Sequence, residues 1–306
     1  MKYVVSGYIG FDNFGDEAIA HVLCQKLKSA GAKKITLISS NPQKTSEIHG
    51  VNSCGMLNFL PALLESDILI SGGGSLLQDV TSLKSLLYYL FVIFSALFLR
   101  KRVQIYAQGI GPINSKIGKF LTKIALRNVN EITVRDMKSK ELLADWGIIS
   151  VQVKDPIFEL ELPNVEKKTA VGVQLRKYKG VDGRFLETLA SEVEKFFHDQ
   201  DIKLISLQDN IDLEVCENFA KILNAKGMYN VEVLSGLSIN DVFKIIPSLK
   251  YLIAMRFHAN VVGIKTNVKT LAINYDPKVE KLALEYKLPI VNLNDKDMSE
   301  QFSKLV

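Results

Sequence analysis

The residues best equipped for chemistry in this 306-residue chain lie in short glycine-flanked stretches. GYIGFDNFGDEA, residues 7–18, delivers Asn13, Asp16 and Glu17 to the start of a helix. Adjacent carboxylates after a glycine-rich loop could act as general bases toward sugar hydroxyls. The same side chains in a first helical turn also offset the helix dipole and cap free N–H groups, and the sequence leaves both readings open. SGGGSLLQD, residues 71–79, places Gly73 and Gly74 where a backbone could approach a ligand closely, with Gln78 and Asp79 next in line to hydrogen-bond hydroxyls. YAQGIGP, residues 106–112, repeats the arrangement with Gln108. For both glycine stretches, tight-turn geometry alone is the competing explanation.

Cations gather in the second half. AMRFHANVVG, residues 254–263, carries Arg256 and His258 at a strand end that opens a helix, a pairing suited to an anion and a titratable proton donor. Lys278 in NYDPKVE and Arg176 in QLRKYKG end other strands in the same manner, as does Arg135 of TVRD in the first half. Clustered Arg, Lys and His fit a small, highly charged anion such as a phosphate that also carries a carboxylate.

Other chemistries lack their signatures. The first loop is neither GxGxxG nor a P-loop, and no GxSxG elbow marks a serine nucleophile. His21, His49 and His198 have no partners at metal spacing, and the DxD strings at 199–201 and 295–297 lie in a helix end and a late loop, so no metal or cofactor is expected. Cys24, Cys54 and Cys216 form no CxxC pair, which points to a reducing compartment. The net charge of +5 is spread along the chain, suiting an anionic ligand without indicating nucleic acid.

These stretches need a scaffold that sets loops at strand ends. Val- and Ile-rich runs alternate with amphipathic stretches almost end to end, the mark of repeated βα units with parallel sheets. Strands are expected at 2–8, 34–39, 68–71, 102–107, 131–135 and 151–154, with helices near 16–29, 57–65, 82–99, 115–128 and 137–145. PIFELELPNVEKK, residues 156–168, breaks the rhythm and reads as a linker between domains 1–160 and 161–306. A second set of strands follows at 170–175, 203–207, 231–234, 251–254, 270–274 and 290–293. The expected fold is α/β: two Rossmann-like domains facing across a cleft, GT-B-like, with the active site in the cleft. Residues 86–99 are apolar all round and end against Arg100, Lys101 and Arg102. Fourteen helical residues rise about 21 Å, short of the roughly 30 Å bilayer core, so this is a buried helix, or an interfacial or partner-binding one whose basic triplet would suit lipid headgroups. The N-terminus lacks the apolar run of a secretory signal, so Met1 is expected to begin the mature protein.

The motifs GYIGFDNFGDEA, SGGGSLLQDVTS, YAQGIGP, VRDMKS, AMRFHA and NYDPKVEKL, in this order over residues 3–290, resemble the polysaccharide pyruvyl transferase family, in particular its CsaB-type cell-wall branch. The resemblance implies a GT-B-like enzyme that transfers a pyruvyl group from phosphoenolpyruvate to a saccharide as a ketal. It implies Asp16 and Glu17 as bases, His258 as general acid or phosphate ligand, and Arg256 and Lys278, helped by Arg135 or Arg176, as donor ligands. Asn13, Gly73, Gly74, Gln78, Asp79 and Gln108 are then expected to line the acceptor site. It further implies a lipid-linked acceptor and a cytoplasmic protein in peripheral contact with the inner membrane face through 86–102. The competing expectations are a nucleotide-sugar glycosyltransferase on the same scaffold and a noncatalytic scaffold protein docked through the apolar helix.

Overall fold

The computed structural model describes residues 1–80 and 82–306 and divides into two compact units, Met1–Leu160 and Glu161–Val306. Thr81, inside the SGGGSLLQDVTS motif, lies outside the described residues.

The N-terminal unit holds a parallel sheet of β1 (Lys2–Ser6), β2 (Lys34–Ser39), β3 (Asn52–Gly55), β4 (Ile68–Gly72), β5 (Arg102–Gln108), β6 (Glu131–Val134) and β7 (Val151–Gln152), in the order β3-β2-β1-β4-β5-β6-β7. Its helices are α1 (Phe14–Ser29), α2 (Pro42–His49), α3 (Phe59–Glu65), α4 (Leu83–Phe98), α5 (Lys116–Arg127) and α6 (Met137–Asp145). The central strands are apolar without a break because consecutive residues feed opposite cores. Val4, Ile38 and Leu69 enter the core under α3, α4, α5 and α6. Their neighbours Val5, Leu37 and Ile70 enter the core under α1.

The C-terminal unit repeats the plan with β8 (Val171–Gln174), β9 (Ile202–Ile205), β10 (Val231–Leu234), β11 (Tyr251–Ala254), β12 (Lys269–Asn274) and β13 (Ile290–Asn292), ordered β10-β9-β8-β11-β12-β13. Helices α7 (Gly183–Phe197), α8 (Asp209–Ala225), α9 (Ile239–Ser248), α10 (Phe257–Lys265), α11 (Pro277–Tyr286) and α12 (Ser299–Leu305) cover it. Phe197, Phe219 and Phe302 are fully buried in one large core with the sheet. Both orders are those of a Rossmann sheet, whose direction of winding reverses between the first and fourth strands. That reversal opens a crevice beyond β1 and β4 in one unit and beyond β8 and β11 in the other.

Two features differ from the expectation. Residues 42–55 form α2 and the edge strand β3, neither of which the apolar pattern marks, because PQKTSEIH and NSCG are mostly polar. The stretch expected as linker begins as part of the N-terminal unit: a 3-10 turn at Pro156–Glu159 buries Pro156 and Ile157, and Glu159 forms an ion pair with Lys26 of α1.

Candidate active site

In the N-terminal unit the crevice is built by the loop after β1 and the glycine loop after β4. Asn13 caps α1, its side-chain oxygen accepting from Gly15 N at 3.1 Å, so Asp16 and Glu17 fall in the first turn. The two carboxylates then part. Glu17 is buried; Oε1 accepts from Gly10 N at 2.6 Å and Oε2 lies 2.9 Å from Nε2 of buried His49. Its carboxylate anchors the 7–13 loop to the end of α2. Asp16 is half-buried and lies against the glycine loop, so close that a Cβ on Gly74 would stand 2.6 Å from its Oδ1. The same carboxylate adds to the burial that pushes the Tyr89 hydroxyl upward, placing Asp16 beside α4 as well.

The glycines are required by geometry. Gly73 and Gly74 have φ of +63° and +68°, and a Cβ on Gly73 would drive into Ile19 of α1. Beyond the sheet, Gly73 N donates to Tyr106 O at 2.8 Å and Gly109 N to Gly74 O at 2.9 Å, so the two glycine stretches form one platform. Arg135 borders the far side of it. Its side chain is buried, Nη1 donates to Asp155 Oδ2 at 2.9 Å, and Nη2 reaches Ser75 Oγ at 3.3 Å. Asp16 and Arg135 thus flank the Gly74–Gly109 pair.

The other residues expected at the acceptor site are held by contacts of their own. Asp79 accepts from Asn114 N and Ser115 N at 2.7 to 2.9 Å, and these N–H groups hold its carboxyl below the usual carboxylate range. It shapes the turn into α5. Gln78 precedes it and is half-buried. Gln108 is fully buried, donating from Nε2 to Ser71 Oγ at 2.8 Å across β4 and β5, while its Oε1 has no hydrogen-bond partner.

In the C-terminal unit, Arg176 follows β8 and Arg256 follows β11, two strands paired in register from Val171 opposite Tyr251 to Gln174 opposite Ala254. Arg256 is 7% exposed and its guanidinium is fixed by Asp212 of α8: Nε to Oδ2 and Nη2 to Oδ1, each 2.7 Å. Nη2 also donates to Gln208 Oε1 at 3.0 Å, and the Arg256 backbone N–H to Gln174 Oε1 at 2.7 Å. Burial pushes the Asp212 carboxyl up, against the pull of Arg256. Arg176 lies 5.3 Å from the Tyr275 ring centroid and donates from Nη1 to its hydroxyl at 3.3 Å, while its buried Nε has no partner. Both guanidinia act on Tyr275, opposing the burial that raises its hydroxyl. His258 stands half-buried in the first turn of α10, its ring edge-on to Phe257 at 5.1 Å. Lys278, exposed, is the second residue of α11.

The structure therefore brings Asn13, Asp16, Gly73, Gly74 and Arg135 around one crevice, and Arg176, Arg256, His258 and Lys278 along the strand ends of the other unit. Sequence reasoning missed Asp212, Gln208, Tyr275, Asp155 and His49, which hold those residues in place. Among the described residues, no group of three His, Cys, Asp or Glu side chains gathers as a metal site.

Asp212 fixes the orientation of the Arg256 guanidinium through Nε and Nη2 while compensating its charge. A buried N–H without an acceptor, as at Arg176 Nε, costs about 1–3 kcal/mol, which an anionic ligand oxygen would recover. The cationic edge is thus equipped for a carboxylate or phosphate, and Asp16 for a proton.

No curated protein matches the chain. Solved structures share its fold at low identity. The S. aureus MnaA–UDP co-structure gives a TM-score of 0.68 at 10% identity, covering 100% of this chain and 88% of that one. UDP-GlcNAc 2-epimerase from Methanocaldococcus jannaschii gives 0.65 at 10%, covering 100% and 91%. E. coli ADP-heptose LPS heptosyltransferase II gives 0.55 at 15%, covering 100% and 98%. These likenesses establish a GT-B-like fold of two Rossmann units. The family model for polysaccharide pyruvyl transferase matches residues 13–277, from the α1 cap through Arg256 and His258 to the start of α11. Because that match covers most of the chain, the chain belongs to the polysaccharide pyruvyl transferase family, a family of enzymes.

Proposed function

We infer that the protein transfers the pyruvyl group of phosphoenolpyruvate to two hydroxyls of a hexose or N-acetylhexosamine in a lipid-linked polysaccharide precursor. The observation that carries this reading is the division of charge: oriented guanidinia with an orphaned N–H at one switch point, and Asp16 on a glycine platform at the other.

Arg176, Arg256 and Lys278 bind the carboxylate and phosphate of the donor. His258 supplies the proton to C3 or steadies the phosphate, while C2 becomes electron-poor. Asp16 accepts the proton of the first sugar hydroxyl as its oxygen bonds to C2. The second hydroxyl then attacks C2, the C2–O bond to phosphate breaks, and the ring closes as a ketal. Of the two hydroxyl protons, one is balanced by the new C3–H bond and the other leaves with inorganic phosphate. Glu17 keeps the 7–13 loop in place and takes no proton. Arg135 holds the Ser75–Gly109 side of the platform.

Incubation with phosphoenolpyruvate and a panel of synthetic lipid-linked disaccharides tests this directly. Phosphate release together with an acid-labile mass gain on one acceptor is expected. Binding of UDP-GlcNAc but not phosphoenolpyruvate in a calorimetric titration would favour nucleotide-sugar chemistry instead, the substrate class named for several proteins of similar fold.

A further inference from the structure

The helices covering one side of the N-terminal sheet leave a broad apolar surface uncovered. On α4, Leu86, Tyr89, Leu90 and Ile93 are buried, but Leu87, Phe91 and Phe98 point outward, Phe98 with 87% of its surface exposed. On the neighbouring α5, Ile117, Phe120 and Ile124 are exposed at 66%, 63% and 37%. Their spacing of three and four residues sets them in one stripe. Lys116, Lys119, Lys123 and Arg127 form a second stripe about a quarter turn away, and α5 carries no acidic residue.

The two stripes have a defined orientation. Gly118 packs on Leu86, where an added Cβ would stand 2.9 Å away, so α4 and α5 are in direct contact. Arg127 reaches the carbonyl of Trp146, at the end of α6, at 3.2 Å. The cations thus lie on the α6 side and the apolar stripe on the α4 side, continuous with Leu87 and Phe91. Phe59 of α3 meets Phe91 edge-on at 5.8 Å, which extends the surface to exposed Leu60 and Leu64. Two nearby carboxylates are engaged, Glu65 with Lys34 at 2.7 Å and Asp79 with two backbone N–H groups, while α6 carries exposed Glu141 and Asp145 on the far side of the cations.

We propose that the α3–α4–α5 face docks on an anionic lipid bilayer, with the apolar stripes of α4 and α5 in the headgroup–acyl boundary and the α5 cations among the phosphates. An apolar stripe bordered by cations without anions is the composition that such an interface selects. No described helix is long and apolar enough to cross a membrane, and this surface lies along the bilayer rather than through it. Sequence alone puts the basic part of the contact at Arg100, Lys101 and Arg102; the structure turns Lys101 onto the carbonyls of Leu64 and Ser66, at 2.9 and 2.7 Å, leaves Arg100 and Arg102 exposed, and adds the α5 cations to them. The inference goes beyond the pyruvyl chemistry and stands independently of it.

The test is co-sedimentation of the full chain with vesicles of phosphatidylcholine alone and of phosphatidylcholine with phosphatidylglycerol in equal parts. Binding to the anionic vesicles, weakening as salt is raised, is expected. The triple variant Lys116→Gln, Lys119→Gln, Lys123→Gln should bind about 100-fold more weakly, at roughly fivefold per cation. Phe98→Ser with Phe120→Ser should lose about 100-fold while melting as the parent does, since both rings are largely exposed. Transfer to a water-soluble acceptor should be unchanged in both variants, so a failed transferase assay and a failed vesicle assay are separate results. Absence of binding to anionic vesicles, binding that neither variant weakens, or a dimer that Phe120→Ser dissolves would each overturn the proposal.

Discussion

Asp212→Ala isolates the contact that orients the guanidinium of Arg256, the proposed donor ligand. The substitution removes the acceptors of four hydrogen bonds: two from Arg256 at 2.7 Å, one from Leu207 N at 3.1 Å and one from Gln174 Nε2 at 3.2 Å. Arg256 is left 7% exposed with its charge uncompensated. Breaking a buried pair from one side costs about 3–5 kcal/mol. For a protein of this size that corresponds to a fall in Tm of roughly 10 °C. The double variant Asp212→Leu with Arg256→Met removes the charge together with its partner and should recover most of the stability, because replacing both members of a buried pair by apolar groups is often neutral. It should not recover phosphoenolpyruvate binding. Calorimetric unfolding and isothermal titration of the three proteins give both readouts. A Tm for Asp212→Ala within about 2 °C of the parent, or tight donor binding by the double variant, would refute the argument that this pair positions Arg256 for an anion.

Glu17→Gln should act on stability more than on turnover, since Glu17 is committed to Gly10 N and His49; a loss of about 1–3 kcal/mol by thermal unfolding with kcat within about tenfold is expected. His21, half-buried beside His49 and Lys28, has its pKa lowered from 6.5, first by burial and then by those neighbours. The unfolded chain therefore takes up this proton more readily, so its contribution to stability falls as pH drops from about 6.5 through the lower folded value and is level below it. Thermal unfolding of His21→Gln across that range should show a flatter acid limb than the parent.

Much of the scaffold is legible because a parallel sheet buries both faces of its strands, so VVS, ILI and LIA runs announce themselves. The gap at residues 42–55 shows where that signal ends: α2 is polar and largely exposed, and Asn52–Gly55 is an edge strand with no β-branched residue. Missing α2 also hides His49, the residue at its end that claims Glu17. GDEA therefore reads as an acidic pair, although the fold gives its members separate work. Arg256 and Asp212 are 44 residues apart and meet only because β9 and β11 flank β8. No local pattern encodes such a meeting. For residues 86–99 the sequence shows an apolar helix but not its sides; packing on the sheet decides which half is core and which is surface.

The central claim is that Asp16, and not Glu17, takes the hydroxyl proton. Single-turnover transfer by Asp16→Asn, beside a phosphoenolpyruvate titration of the same variant, tests it most directly. The account predicts a rate lower by about 10² to 10⁴ with donor affinity and Tm unchanged. A rate within tenfold of the parent would contradict it.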